Sequence, residues 1–258
     1  MKIDYLKARQ LAVTCQEVYK SFTDQRFEAQ PETTIPIDNR ATDTQCLLMV
    51  TAQAMTIVFR GSDSAYDWQG NLNTQQMRVA FEEAVIQRAI VDRSERQQIY
   101  PYASGSASGA KLHSGFSQAY LSVRDQIHSQ VDAQIAQGLS TITVTGHSLG
   151  GALALLCAVD LQYNFADRLQ HLEVYSFGAP RVGNKAFKES FDRRVPHSYR
   201  FVHGMDIVVE LPRWWQGYPR HVAQQIRIGP RLSWELVTAP FKDHAIADYI
   251  AALDKQIA

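Results

Sequence analysis

Residues 141–151, TITVTGHSLGG, limit what this chain can fold into more than any other stretch. TITVTG (141–146) is rich in β-branched residues and reads as a strand. LGGALALLCAVDL (149–161) is almost wholly apolar and reads as a helix buried on most sides. Only His147 and Ser148 separate the two, so the chain passes from strand to helix with almost no loop. A turn that sharp strains the backbone at its centre, and the residues two positions to either side must be small. Gly146 and Gly150 meet that demand around Ser148.

The helix that follows points unpaired backbone N–H groups, and the positive end of its dipole, toward Ser148. The pattern G-x-S-x-G is weak alone, but on a strand-to-helix turn it marks Ser148 as a candidate nucleophile. The N–H of Leu149 is then the natural first donor to a developing oxyanion. A serine that merely caps the helix is the alternative.

A nucleophilic serine needs a base, and the base needs an acid to fix its tautomer. On turns of this kind the chain order is serine, acid, histidine. Five of the eight histidines lie beyond Ser148: His171, His197, His203, His221 and His244. SYRFVH (198–203) reads as a strand, and Gly204 loosens the turn after it, so Asp206 is the candidate acid. Glu210, inside the apolar run IVVELP, is the rival. An acid at 206 leaves His221 and His244 as bases. His221 opens the strand VAQQIRI (222–228), whereas His244 sits in a loop before the last helix and is free to reach over the sheet edge. His244 is the preferred base. His147 points away from Ser148 on such a turn and reads as packing. His113, His128 and His171 show no ligand spacing, so no metal site is expected, and attack by an activated serine needs no cofactor.

The rest of the chain frames this turn. Residues 3–20 read as a helix with Leu11, Cys15, Val18 and Phe22 at helical spacing. Residues 23–45 are polar, contain Pro31 and Pro36, and read as a long surface loop. CLLMVT (46–51) and MTIVFR (55–60) read as strands joined by a tight turn. Residues 114–137 give the clearest helix, with Phe116, Tyr120, Val123, Ile127, Val131 and Ile135 on one stripe. LEVYSF (172–177) is a further strand, and a last helix runs over 244–255. VAFEEAVIQRAIV (79–91) has an amphipathic helical pattern, and PYASGSASGA (101–110) reads as a flexible loop. Strands alternating with helices imply an α/β fold, a mostly parallel central sheet with helices on both faces and some antiparallel pairing at one edge. No linker divides the chain, so one domain over residues 1–258 is expected.

Composition narrows the partners. Lys+Arg and Asp+Glu both number 26, so no basic surplus points to nucleic acid, and none is expected as a partner. Cys15, Cys46 and Cys157 are too few and too scattered for a disulfide framework, and Cys157 reads as a small buried hydrophobe. The first residues lack a continuous apolar core, and the longest apolar runs, about ten residues, are too short for a bilayer. A soluble chain with no signal peptide or transmembrane helix is expected, either cytoplasmic or exported by a signal-independent route.

Several separate blocks together carry a resemblance: FRGSDSAYDW (59–68), HSGF (113–116), VTGHSLGGALA (144–154), SFGAPRVGN (176–184), MDIVVELP (205–212) and DHAIADY (243–249). Across most of residues 40–255 the chain resembles the fungal-type, or class 3, lipases of the α/β-hydrolase fold. The resemblance implies a triad of Ser148, Asp206 and His244, and an oxyanion hole in which Ser62 joins Leu149. It implies a short lid after the oxyanion strand, within Asp63–Arg78, with Trp68 as a candidate apolar anchor. Between Leu72 and His113 the chain is longer than a typical member, so residues 63–110 form an expected lid or insert region. Trp214, Trp215 and Tyr218 form an aromatic cluster suited to an acyl pocket, a lipid contact or ordinary packing. The implied chemistry is hydrolysis of carboxylic esters. Acylglycerols at a lipid–water interface come first, and phospholipids, lysophospholipids or soluble esters are the alternatives. A non-catalytic lipid-binding or interaction protein on the same scaffold is the reading from another class. Oligomeric state is not legible.

Overall fold

Seven strands form one sheet whose spatial order follows the chain: β1 (Thr33–Asn39), β2 (Thr44–Val50), β3 (Met55–Phe59), β4 (Thr141–His147), β5 (His171–Phe177), β6 (Ser198–His203) and β7 (Gln224–Ile228). The computed structural model describes residues 3–62, 110–211, 220–230 and 242–257. β1, β2 and β3 pair antiparallel, and every pairing from β3 to β7 is parallel. Strands buried on both faces alternate between two cores. Cys46, Leu48 and Val50 of β2 join one core, and Leu47 and Met49 join the other.

Five helices cover these faces among the described residues. α2 (Ser114–Ala136), α3 (Leu149–Phe165) and α4 (Lys185–Arg194) pack on the first face. α1 (Tyr5–Glu17) and α5 (Ile246–Ile257) pack together on the second. The expected α/β architecture is present. No helix among the described residues is long and apolar enough to cross a membrane.

α3 fixes the turn at Ser148 because the part that follows this turn has no solvent face. Leu149 to Leu161 are all buried, and each leucine so buried contributes about 2 kcal/mol. Its one charged residue, Asp160, accepts from the Tyr120 hydroxyl at 2.6 Å, Arg124 Nε at 3.0 Å and His128 Nε2 at 2.6 Å. Those three donors lie on α2, so the carboxylate locks the two helices together. Burial by itself would raise the pKa of Asp160, but the bonds from His128 and Tyr120 and the nearby positive charges outweigh it and hold the carboxyl below its usual value.

Four local expectations change. β1 lies inside the segment read as a loop, as an edge strand with only Ile37 fully buried. An edge tolerates Pro36, because one strand face of hydrogen bonds is not needed there. α1 stops at Glu17, so Phe22 is not on its stripe and is exposed. α4 was not expected: it is a polar helix that buries only Phe187, Ser190 and Phe191, with the Asn184 side chain capping the N–H of Phe187 at 3.0 Å. The last helix starts at Ile246, after a single 3-10 turn, Lys242–His244.

Candidate active site

Ser148 sits between β4 and α3 with φ 57° and ψ −127°, a left-handed strain of about 1–3 kcal/mol for a residue other than glycine. The surroundings enforce it. Its N–H donates to the Phe177 carbonyl at 2.9 Å, and its carbonyl accepts from the Gly151 N–H at 3.0 Å, starting α3. A Cβ on Gly146 would fall on the Gly150 carbonyl, and one on Gly150 would fall on the Phe59 carbonyl. Both glycines are therefore required by close approach, and the end of β3 is pressed against the start of α3.

Asp206 and His244 converge on this serine from 58 and 96 residues away in sequence. His244 Nδ1 lies 2.7 Å from Asp206 Oδ2, and His244 Nε2 lies 2.9 Å from Ser148 Oγ. A carboxylate only accepts, so Nδ1 holds the proton. Nε2 is then bare and accepts from the serine hydroxyl. All three side chains are buried, which strengthens every charge interaction among them. Asp206 Oδ1 accepts the Val208 N–H at 2.9 Å, and Oδ2 also accepts the Tyr249 hydroxyl at 2.5 Å. Burial, then the Asp206 charge, hold the Tyr249 phenol well above its usual pKa, so it stays a donor. Gly178 has φ 59°, and a Cβ there would lie 2.8 Å from Asp206 Oδ2 and 2.9 Å from His244 Cε1. The Asp206–His244 pair thus rests on bare backbone.

The segments bearing Asp206 and His244 are stapled to each other. Asp243 Oδ2 accepts the Met205 N–H at 2.7 Å, and the Asp243 carbonyl accepts from His203 Nδ1 at 3.2 Å. His147, expected only to pack, does more than that. Its ring lies 4.7 Å from that of His244, with Nε2 2.8 Å from the His244 carbonyl oxygen and Nδ1 2.9 Å from the Tyr19 hydroxyl.

The rivals stand apart. Glu210 is exposed and pairs with Arg181. His221 donates through Nε2 to the Val209 carbonyl at 2.5 Å, and burial with Arg200 nearby pushes its pKa well below the usual value. His113 caps α2 by accepting the Phe116 N–H, and His171 lies against His197. Ser62 is half-buried just past β3, and Leu149 opens α3, where its N–H has no earlier helical carbonyl to meet. Both stand at the carboxyl ends of adjacent strands. Trp68, Trp214, Trp215, Tyr218, the lid expected within Asp63–Arg78 and the helical pattern of 79–91 lie outside the described residues. Among the described residues no group of three or more His, Cys, Asp or Glu is placed to hold a metal.

Sequence reasoning missed Tyr249, Asp243 and Tyr19. The first two lie in the DHAIADY block, one on each side of His244. Tyr19 carries no sequence signal, being 128 residues from the ring it touches.

A buried serine, a histidine of fixed tautomer and an anchored carboxylate can perform acyl transfer. Comparison with known proteins agrees in kind. Residues 56–215 match the family model Lipase (class 3). A chloroplastic phospholipase A(1) of Arabidopsis thaliana is 30% identical over 165 residues, covering 61% of this chain and 33% of that protein. A secreted mono- and diacylglycerol lipase of Malassezia restricta is 36% identical over 130 residues, covering 50% of this chain and 42% of that one. The chain thus spans less than half the length of these curated relatives. A solved triacylglycerol lipase whose catalytic centre is a serine protease triad superposes with TM-score 0.65 at 27% identity, over 86% of this chain and 79% of its own.

Proposed function

The chain belongs to the class 3 lipase family and has its α/β-hydrolase fold, and from that premise we propose that it is a serine hydrolase of lipid carboxylic esters. One observation carries the reading: the unbroken line from Asp206 Oδ2 through His244 to Ser148 Oγ, at 2.7 and 2.9 Å. The family match ends at residue 215 and does not reach His244, whose role is supported by its place in the chain order and by these two distances.

In the proposed reaction His244 Nε2 takes the Ser148 proton as Oγ attacks the ester carbonyl. Asp206 keeps the proton on Nδ1 and stabilises the imidazolium. The Leu149 N–H, with Ser62, stabilises the oxyanion; one such donor is worth about 3 kcal/mol. His244 then protonates the departing alcohol, and water repeats the sequence on the acyl-enzyme.

Acylglycerol esters are the preferred substrates, on the strength of the Malassezia relative and the triacylglycerol lipase neighbour. Phospholipid esters are the second reading, favoured by the Arabidopsis relative. The test is hydrolysis of emulsified triacylglycerols and diacylglycerols, phosphatidylcholine and short nitrophenyl esters side by side, with Ser148→Ala as the blank. Serine-dependent release from acylglycerols supports the first reading. Release confined to phosphatidylcholine would replace it with the second, and no release from any of them would favour a non-catalytic scaffold.

A further inference from the structure

None of those steps uses the imidazole of His147, yet both of its nitrogens are engaged. Its Nε2 faces the carbonyl oxygen of His244 at 2.8 Å. A carbonyl oxygen only accepts, so Nε2 carries a proton and donates it. Burial, and then the neighbouring His244, keep His147 from charging, so Nδ1 is bare. The Tyr19 hydroxyl, 2.9 Å away, therefore donates to Nδ1. Tyr19 is buried in the turn that follows α1. A Cβ on Gly61 would fall on its hydroxyl, so the phenol also abuts the backbone one residue before Ser62.

We propose that Tyr19 and His147 are positioning residues for the base: Tyr19 fixes the tautomer of His147, and His147 Nε2–H holds the His244 backbone against the turn that bears Ser148. The inference rests on the reading of His244 as base. His244 needs such support because it lies in a three-residue 3-10 turn rather than in a strand or long helix. His147 is the last residue of β4, one position before the nucleophile. The His244 backbone is thereby referenced to the same rigid turn as Ser148 Oγ. The tautomer matters because its alternative reverses the force. With the proton on Nδ1, the Nε2 lone pair would face the carbonyl lone pairs of His244 and push the base away. Removing the Tyr19 hydroxyl takes away the group that selects against that form.

The test is Tyr19→Phe, compared with wild type and with Val18→Ala, a buried neighbour outside this contact. Tyr19→Phe is expected to lower kcat on a soluble ester roughly tenfold with KM within about twofold, because a small displacement of a catalytic group is costly. Val18→Ala should lower the melting temperature and leave kcat near wild type. Imidazole nitrogen NMR gives a readout that needs no turnover. Wild-type His147 should appear as a single Nε2–H tautomer, and in Tyr19→Phe as a mixture. A wild-type His147 protonated on Nδ1, or a Tyr19→Phe protein whose kcat matches that of Val18→Ala, would overturn the proposal. A wild type inert toward esters would sink the hydrolase reading, while the tautomer would still decide this one.

Discussion

The hydroxyl of Tyr249 and Nδ1 of His244 donate to the same oxygen, Oδ2 of Asp206, at 2.5 and 2.7 Å. With the Val208 N–H on Oδ1, three donors hold one buried carboxylate. Hydrogen bonds to a charged group are worth about 1.5–3 kcal/mol. Tyr249→Phe removes one without changing shape. It should lower kcat/KM roughly tenfold or more, mostly in kcat, because the acid then orients the imidazole less firmly. Steady-state kinetics on a soluble ester checks this, and an unchanged kcat would show that the third donor is idle.

Asp206 and Glu210 are both acids after β6, one buried against His244 and the other exposed beside Arg181. Asp206→Asn should lower kcat by about 10⁴, since an amide facing Nδ1 stabilises the wrong tautomer. Glu210→Gln breaks only an exposed pair with Arg181 and should leave kcat within about twofold. The two variants measured side by side distinguish the assignments.

The strained turn at Ser148 leaves no room for a methyl group at Gly146, where a Cβ would fall on the Gly150 carbonyl. Backbone atoms cannot yield as a flexible side chain can. Gly146→Ala should destabilise the protein by about 3 kcal/mol and remove activity with it. Chemical denaturation measures the first effect. A variant of wild-type stability would contradict the close approach of β4 and α3.

Asp160 gives stability a pH dependence of known sign. Its carboxyl is held below the usual value, after burial is offset by the His128 and Tyr120 bonds and nearby positive charge. A group depressed in this way stabilises the fold above its unfolded pKa, near 4, and that contribution is lost as pH falls through the lower folded value. Asp160→Asn should cost about 3 kcal/mol at pH 7, where it leaves Arg124 without its buried partner. In denaturation curves taken at a series of pH values, the gap between variant and wild type should begin to narrow below about pH 4 and close only as pH falls through the lower folded value.

Much of this was legible in the sequence, for physical reasons. Strands buried on two faces announce themselves as apolar runs, and Thr141–His147 followed by the apolar α3 allows only a strand-to-helix turn. The edge strand β1 was hidden because it buries only Ile37 fully and contains Pro36, so neither period nor composition marks it. α4 was hidden by its polarity, although Asn184 at its start and Arg193 and Arg194 at its end are helix-boundary signals that were available. The candidate nucleophile, acid and base could be chosen by order and position. The residues that hold them could not. Tyr19 meets His147, and Asp243 meets Met205, only because packing brings distant segments together.

The most direct test of the central claim is covalent labelling of Ser148. A fluorophosphonate ester reacts with a serine only where a base activates it and an oxyanion site receives the negative charge. Mass spectrometry of the labelled wild type should place one adduct on Ser148, absent from Ser148→Ala and slowed strongly in His244→Ala. An unlabelled Ser148 in a folded protein, or an adduct on another serine, would contradict the assignment.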